Sequence, residues 1–212
     1  MSQNTSSAVM QQRAEPRDSL DLFPTPPWAT RALCEQIDFL TPRRLAEQTC
    51  LEPACGLGHM VRPLREYFGE VRASDVYPYG FGAVDDFLLP GPVEPADWII
   101  SNPPFKSAQQ FIVRALGIAR VGVAMLVRTS FLEGTGRHRD LFSIRPPTLI
   151  LQFAERVPML KGRVDPKATT ATSYAWLAWS HADAGTPTRF DWIAPCRKRL
   201  EQPEDYAEVP AA

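Results

Sequence analysis

The sequence predicts an α/β protein with a mostly parallel sheet, and two stretches carry this prediction. Residues 97–105 read Asp-Trp-Ile-Ile-Ser-Asn-Pro-Pro-Phe, an apolar run that ends at an amide and two prolines. Three bulky apolar residues in succession suit a central strand that is covered on both faces. Residues 49–58 predict a short strand entering a glycine turn, and residues 59–68 have helical apolar spacing that ends at Gly69. The chain therefore contains a strand, loop and helix unit.

The length of 212 residues suits one domain with a single substantial core. Residues 1–20 are rich in Ser, Gln and charge, and we expect them to be a disordered tail. The predicted domain covers residues 21–195. Residues 196–212 begin with a basic triplet and continue as an acidic, proline-bearing stretch. We expect this segment to be a mobile tail.

The composition excludes several classes of protein. A formal charge of -1 and a pI near 6.3 exclude a broadly basic surface, so a polyanion would have to meet a local patch. The four cysteines form no C-x-x-C pair, which disfavours a zinc site. We therefore expect reduced thiols and a cytoplasmic location. No apolar leader and no run of about 18 apolar residues occurs, so we expect no membrane partner.

The first predicted element of the domain is a helix at residues 29–37, preceded by the stretch Phe-Pro-Thr-Pro-Pro-Trp at residues 23–28. A threonine before prolines and an apolar periodic run is a helix-start signal. Taken alone, this stretch is an ordinary capped helix.

The glycine turn after the first strand is suited to a ligand. Gly56 and Gly58 allow the backbone to approach a bound molecule, and the following helix start supplies free N–H donors. Val61 stands where a G-x-G-x-x-G motif has its third glycine, which disfavours a dinucleotide pyrophosphate loop. No G-K-[ST] follows, which argues against a P-loop.

The remaining elements alternate between strands and helices. Residues 71–75 are a short strand that ends at Asp75, placed to bind the two hydroxyls of a ribose, or else a turn residue. Residues 106–119 have the spacing of a packed helix, and residues 121–127 are the next buried strand. Residues 148–153 and 172–179 are apolar strands with no helix between them, which predicts an antiparallel hairpin edge.

The tip of the central strand has the parts of a binding site. Asn102 supplies an amide oxygen, Pro103 a carbonyl oxygen and Phe105 a stacking surface, and Pro103 and Pro104 hold them in a rigid loop. Open α/β sheets bind ligands at this end of their strands. Such a loop suits a flat ring with an exocyclic NH2, although a proline turn can follow any buried strand.

These motifs together resemble those of S-adenosylmethionine-dependent DNA adenine methyltransferases. The matching stretches are the aromatic-Pro-Thr-Pro element, Glu-Pro-x-x-Gly-x-Gly from Glu52, the acid Asp75 and the tetrapeptide Asn-Pro-Pro-Phe. The resemblance covers about residues 22–179 and implies a doubly wound, Rossmann-like class I methyltransferase sheet. It implies S-adenosyl-L-methionine as the cofactor, with contacts from Phe23, Thr25, Glu52, Ala54, Gly56, Gly58, Asp75, Asp86, Phe87 and Asn102.

The partner implied by this resemblance is nucleic acid, with DNA ranked above RNA. The cations Arg137, Arg139, Lys161 and Arg163 are our candidates for phosphate contacts, although a solvated helix face would look the same. The chain has no room for a separate target-recognition domain, so its sequence specificity is open. A glutamine side chain as the methyl acceptor, or a non-enzymatic binding module, ranks below a nucleic acid base. The oligomeric state is not predicted.

The histidines show no catalytic pattern. His59, His138 and His181 share no spacing and have no Ser or Cys partner motif. We therefore expect surface or helix-face positions for all three and no nucleophilic catalysis.

Overall fold

The computed structural model describes residues 21–41 and 43–207, so the tail predicted for residues 1–20 lies outside the described part. The helices of the described chain are α1 (Pro27–Ile37), α2 (Val61–Tyr67), α3 (Ala108–Ile118), α4 (Thr135–Arg137) and α5 (Arg197–Leu200). The strands are β1 (Thr49–Glu52), β2 (Glu70–Asp75), β3 (Ala83–Val84), β4 (Trp98–Ser101), β5 (Gly122–Arg128), β6 (Leu149–Phe153), β7 (Tyr174–Ser180) and β8 (Arg189–Ile193). Single helical turns occupy Asp38–Leu40, Leu45–Glu47, Thr129–Leu132, His138–Phe142 and Pro203–Tyr206.

The strands form one mixed sheet in the order β3-β2-β1-β4-β5-β7-β6-β8. Strands β1 to β5 are parallel to one another, whereas β7 runs antiparallel to both β5 and β6. This confirms the predicted α/β sheet with its antiparallel hairpin. β3 and β8 were not predicted. β3 has only two residues, and β8 is an edge strand whose residues Arg189 to Trp192 are exposed even though its polar and apolar residues alternate.

The two faces of the sheet carry separate apolar cores. β4 contributes side chains to both of them, which explains its run of apolar residues. Trp98 and Ile100 pack in the cluster that includes α1 and α2, while Ile99 packs in the cluster that includes α3. All three side chains are fully buried. Successive side chains of a strand point to opposite faces, so a strand covered on both sides is apolar along most of its length. The polar exception in β4 is its last residue, Ser101, whose Oγ donates to Glu52 Oε1.

The segment expected to be a mobile C-terminal tail is packed over its described part. Cys196 and Leu200 are buried in the core beside α1. Arg31 of α1 is 4% exposed and pairs with Asp205 at 2.8 Å and with Glu66 at 2.7 Å. A buried guanidinium requires charged partners, and the acidic tail supplies one. Residues 208–212 lie outside the described residues.

Candidate active site

The loop after β4 places Asn102 at the carboxyl edge of the sheet, as the sequence predicts. The Asn102 Nδ2 donates a hydrogen bond to the Phe23 carbonyl oxygen at 2.8 Å. The Oδ1 of the same amide is buried and has no hydrogen-bond partner in residues 21–41 and 43–207. Buried polar atoms are nearly always paired, so an orphan acceptor at a strand end indicates a place for a ligand's donor.

The glycine loop after β1 is joined to the acid at the end of β2. Gly56 has φ +50°, and its N–H donates to Asp75 Oδ2 at 2.9 Å. Asp75 Oδ1 accepts the N–H of Tyr77 at 3.0 Å. The two hydrogen bonds fix the carboxylate against the loop. β1, β2 and β4 are adjacent and parallel, so Asp75 and Asn102 belong to the same edge of the sheet.

A cavity of about 260 Å³ lies between the glycine loop and the Asn102 loop. It brings together these predicted residues: Phe23, Thr25, Ala54, Gly56, Asp75, Asn102, Pro103, Pro104 and Phe105. Its wall also contains residues that sequence reasoning missed: Asp21, Leu22, His59, Tyr77 and Tyr79. The spacing of the motifs predicts the loops, but it does not predict which other side chains pack beside them in the cavity wall.

The wall of the cavity nearest the start of the domain is a strap formed by residues 21–25. The Phe105 N–H donates to Asp21 Oδ2 at 2.7 Å, and the Gly162 N–H donates to the Leu22 carbonyl at 2.9 Å. Leu22 also approaches the glycine loop, since a Cβ at Gly56 would lie 2.7 Å from its Cδ1. The strap thus ties the cavity to the Asn102 loop and to the loop around Gly162.

Glu52 lies beside the cavity without lining it, which differs from its implied role as a direct cofactor contact. It is fully buried at the end of β1, and its Oε1 accepts hydrogen bonds from Ser101 Oγ at 2.8 Å and Ala54 N–H at 3.0 Å. Its Oε2 has no partner in the described chain. Burial raises the Glu52 pKa to about 8, against the opposing effect of these hydrogen bonds.

Gly58, Asp86 and Phe87 are also absent from the lining of the cavity. Gly58 has φ +80°, and the Phe81 ring would lie 2.3 Å from a Cβ there, so its role is the turn and this contact. Asp86 Oδ1 accepts the Leu88 N–H at 2.9 Å. Phe87 is 2% exposed, with its ring centroid 5.1 Å from that of Phe111. The last two side chains serve a turn and the core rather than this cavity.

His59 is the residue whose position differs most from expectation. The sequence predicts a surface or helix-face histidine, but His59 is 5% exposed and lines the cavity. Its Nδ1 is buried and unpartnered within the described residues. Burial, together with the charge of Arg62, lowers the His59 pKa to about 4. The imidazole is therefore neutral at pH 7, which suits a cavity for a cationic ligand.

Phe105 separates this cavity from two others on the α3 side. One, of about 680 Å³, runs along α3 and is lined by Leu88, Phe105, Lys106, Gln109, Gln110, Val113, Arg114, Phe131 and Arg137. The smaller, of about 180 Å³, lies between Phe105 and Phe131. We call the larger one the α3 groove. Among residues 21–41 and 43–207, no carboxylate lines the α3 groove, although the chain has a net charge of -1.

The four predicted phosphate contacts are not alike in the structure. Arg137 is committed to the local fold, since its guanidinium donates to the carbonyls of Phe131 and Glu133. Arg139 is exposed but pairs with its neighbour Asp140 at 2.6 Å. Lys161 and Arg163 belong to the loop that contacts the strap through Gly162, and Arg163 lies 4.0 Å from Asp165. The four cations do not form one unpaired patch.

Comparison with solved structures identifies the fold. The chain superposes on a proposed class I S-adenosylmethionine-dependent methyltransferase from Listeria monocytogenes with a TM-score of 0.61, 13% identity, and coverage of 88% of this chain and 69% of that one. A proposed RNA methyltransferase from Pyrococcus horikoshii gives a TM-score of 0.58 and 16% identity, covering 82% of this chain and 96% of that one. The chain therefore has the class I methyltransferase fold.

A third similar structure comes from a larger protein. The modification subunit of a proposed type I restriction enzyme from Vibrio vulnificus gives a TM-score of 0.56 and 15% identity, with 95% of this chain and 53% of that chain covered. The present chain thus spans about half of that subunit. No protein-family model matches the sequence.

None of the described helices is long and apolar enough to cross a membrane. Within residues 21–41 and 43–207, no group of three or more His, Cys, Asp or Glu side chains could hold a metal ion.

Proposed function

We propose that this protein transfers a methyl group from S-adenosyl-L-methionine to the exocyclic amine of adenine in DNA. The observation that carries the proposal is the buried, unpartnered Oδ1 of Asn102 beside the Phe105 ring, at the wall of a cavity that also contains Asp75. An amide acceptor and an aromatic face are what an amine on a flat ring requires. The acid at the far side of the same cavity suits the ribose of a nucleoside cofactor.

The residues of the cavity fit this cofactor. S-adenosylmethionine is cationic at sulfur and at its ammonium group, so the carboxylate of Asp75 favours it and the neutral imidazole of His59 does not repel it. Tyr77 and Tyr79, whose ring centroids are 4.8 Å apart, supply an aromatic wall next to Asp75. When bound, the cofactor supplies an electrophilic methyl group.

The residues of the Asn102 loop prepare the acceptor amine. The lone pair of an adenine amine is delocalised into the ring, which makes it a poor nucleophile. Asn102 Oδ1 and the Pro103 carbonyl accept its two hydrogens and favour a tetrahedral nitrogen with a directed lone pair. Positive charge develops on that nitrogen during direct displacement, so these acceptors stabilise the transition state more than the substrate.

The protein also has to hold the base and exclude water. A duplex adenine must leave the stack, at a cost of a few kcal/mol. Stacking on Phe105 offsets about 1 to 3 kcal/mol of that cost. The strap of residues 21–25 covers the cavity and hydrogen-bonds to Phe105 N through Asp21, so the same segment closes the cofactor side and positions the stacking ring.

The α3 groove supports a nucleic acid substrate rather than a protein one. It begins at Phe105, and its polar lining consists of Lys106, Arg114, Arg137 and two glutamines. A nucleic acid strand that leads to a base on Phe105 would meet cations and amide groups in the α3 groove, and no carboxylate of the described residues. The V. vulnificus modification subunit belongs to a proposed type I restriction enzyme, and this similarity makes DNA the first candidate.

RNA is the second candidate, and one observation favours it. The proposed RNA methyltransferase from P. horikoshii is matched over 96% of its own length, so its size is close to that of this chain. The Asn-Pro-Pro-Phe loop acts on the amine of a base in either polymer.

Transfer of labelled methyl groups distinguishes these candidates. The protein is incubated with methyl-labelled cofactor and, separately, with duplex DNA, single-stranded DNA, tRNA and rRNA, each compared with an adenine-free oligonucleotide of the same type. We expect label in DNA that contains adenine and none in the adenine-free control. Label in RNA alone would favour the second candidate, and label in none would contradict both.

A further inference from the structure

An arginine of the neighbouring strand covers the Phe105 ring. The Cζ of Arg128 lies 3.9 Å from the centroid of this ring and over it. Phe23 is a second aromatic contact of Phe105, with centroids 5.4 Å apart and planes tilted by 40°. A guanidinium at 3.9 Å is in van der Waals contact with the ring. A flat ligand cannot stack on this face while Arg128 occupies it.

The register of the sheet places Arg128 at this position. β5 lies beside β4, with Met125 paired to Ser101, and Arg128 is the last residue of β5. Its side chain therefore leaves the sheet at the same edge as Asn102. The 180 Å³ cavity that it enters has the following lining: Pro103, Phe105, Ala108, Val127, Arg128, Ser130, Phe131 and Arg137.

The stacked guanidinium is incompletely hydrogen-bonded. The Nε of Arg128 is buried and finds no acceptor among the residues that the structure describes. Its polar neighbour is Tyr174, which is paired with Arg128 across β5 and β7. Burial raises the pKa of Tyr174, whereas the charge of Arg128 and a hydrogen bond between the two side chains lower it. An unpaired buried donor costs free energy of the same order as a cation–π contact contributes. The two effects oppose one another, and the unpaired Nε favours release of the guanidinium from the ring.

We propose that the Phe105 face that lines the 180 Å³ cavity receives the ring that accepts the methyl group, and that Arg128 is its place-holder. Pro103 and Phe105 line both this cavity and the 260 Å³ cavity that contains Asn102, so a ring on this face lies beside the Asn102 loop. The guanidinium covers Phe105 in the substrate-free protein, and an incoming flat ring displaces it. The ring gains the Phe105 face, and the Arg128 Nε gains water or an acceptor on the substrate. Arg128 thus selects ligands that stack on Phe105 better than a guanidinium does. For the identity of the ring, adenine, this inference rests on the proposed function.

Binding of nucleosides to Arg128→Ala tests the proposal. Adenosine, cytidine and guanosine are titrated into the wild type and the variant, with S-adenosylhomocysteine present so that the cofactor cavity is filled. Arg120→Ala is the matched control, because Arg120 precedes β5 at the opposite edge of the sheet and its side chain is 55% exposed. We expect adenosine to bind Arg128→Ala roughly 2- to 30-fold more tightly than wild type, because it no longer displaces a cation–π contact. Arg120→Ala should bind as wild type does.

A spectroscopic readout follows the guanidinium itself. Stacking on Phe105 shifts the Hε resonance of Arg128 upfield through the ring current, and saturating adenosine should return it to the ordinary range. Calorimetry with S-adenosylhomocysteine confirms that each variant retains its fold. Equal or weaker adenosine binding by a folded Arg128→Ala, or no binding of any nucleoside by either protein, would overturn the place-holder role.

The same titrations separate this inference from the proposed function. Tighter binding of cytidine or guanosine alone would keep the place-holder role and contradict adenine as the acceptor. Methylation of adenine by the wild type, without tighter nucleoside binding in Arg128→Ala, would keep the proposed function and overturn the place-holder role.

Discussion

The Nδ2 atom of Asn102 lies 2.8 Å from the carbonyl oxygen of Phe23, and this contact decides which end of the amide is an acceptor. A carbonyl oxygen can only accept, so it binds the NH2 end and leaves Oδ1 as the atom without a partner in the described chain. The Sδ of Met159 lies on the same side, 3.7 Å from Nδ2. The strap of residues 21–25 therefore orients the group on which the proposed chemistry depends.

Asp75 should control cofactor affinity, and Asp86 should not. Only Asp75 lines the cavity, whereas Asp86 accepts a hydrogen bond in its own turn. Loss of hydrogen bonds from a carboxylate costs about 1.5 to 3 kcal/mol, so Asp75→Ala should weaken S-adenosylmethionine binding by roughly ten- to a hundredfold. Calorimetry measures both variants, with Asp86→Ala as the matched control. Equal losses of cofactor affinity in the two variants would instead support the cofactor contact that the family resemblance implies for Asp86.

Glu52 should make the cofactor-free protein less stable as pH rises. Its pKa is about 8 in the folded chain and about 4.5 when unfolded, so the folded state binds more protons between these values. The contribution of this group to the free energy of unfolding is then largest below pH 4.5 and is lost as pH rises to about 8. Glu52→Gln should raise the melting temperature at pH 8 more than at pH 5. A uniform change would contradict the buried, unpaired carboxylate.

His59 should have the opposite pH dependence in a lower range. Its pKa is about 4 when folded and 6.5 when unfolded, so the unfolded state binds more protons between pH 4 and 6.5. The free energy of unfolding should therefore fall as pH drops through this range, and His59→Gln should reduce that fall. Urea denaturation at pH 4.5 and pH 7.5 compares the variant with wild type. The same fall in both proteins would show that His59 is already protonated or exposed.

Binding to nucleic acid should depend on salt through the α3 groove. Lys106 lines that groove, so Lys106→Ala should lower the slope of log affinity against log salt by about 0.7 to 0.9 if it contacts one phosphate. Arg44→Ala is the control, because Arg44 is exposed and precedes β1 at the other edge of the sheet. Fluorescence anisotropy of a labelled oligonucleotide gives the slopes. Identical salt slopes in the two variants would show that the nucleic acid does not contact Lys106 in the α3 groove.

The elements that the sequence predicts best are those with a strong local pattern. β4 has three apolar residues in succession, Trp98 to Ile100, and prolines follow it, so its place and the loop after it follow from the residues alone. The turn at Gly56 is equally predictable, because a glycine after a strand indicates a turn. In the structure its backbone has φ +50°. The edge strand β8 alternates polar and apolar residues over only five positions and is mostly exposed, and its pairing with β6 depends on the tertiary fold.

The side chains that close the site could not be read from local pattern. Arg128 covers Phe105 only because β5 lies beside β4 in register, a contact between residues 23 positions apart. His59 is buried and lines the same cavity as the strap and the glycine loop, which its polar character did not indicate. The packing of Asp205 on Arg31 likewise joins the two ends of the described chain. Such contacts depend on topology rather than on spacing.

The position of the methyl group on the product tests the central claim most directly. The protein is incubated with S-adenosylmethionine and adenine-containing DNA, the DNA is digested to nucleosides, and the product is identified by mass spectrometry. We expect methylation at the exocyclic amine of deoxyadenosine by the wild type, and roughly 10²- to 10³-fold slower turnover in Asn102→Ala with nearly unchanged cofactor affinity. A methyl group on cytosine or on a ring carbon, or near-normal turnover in Asn102→Ala, would contradict the proposed mechanism.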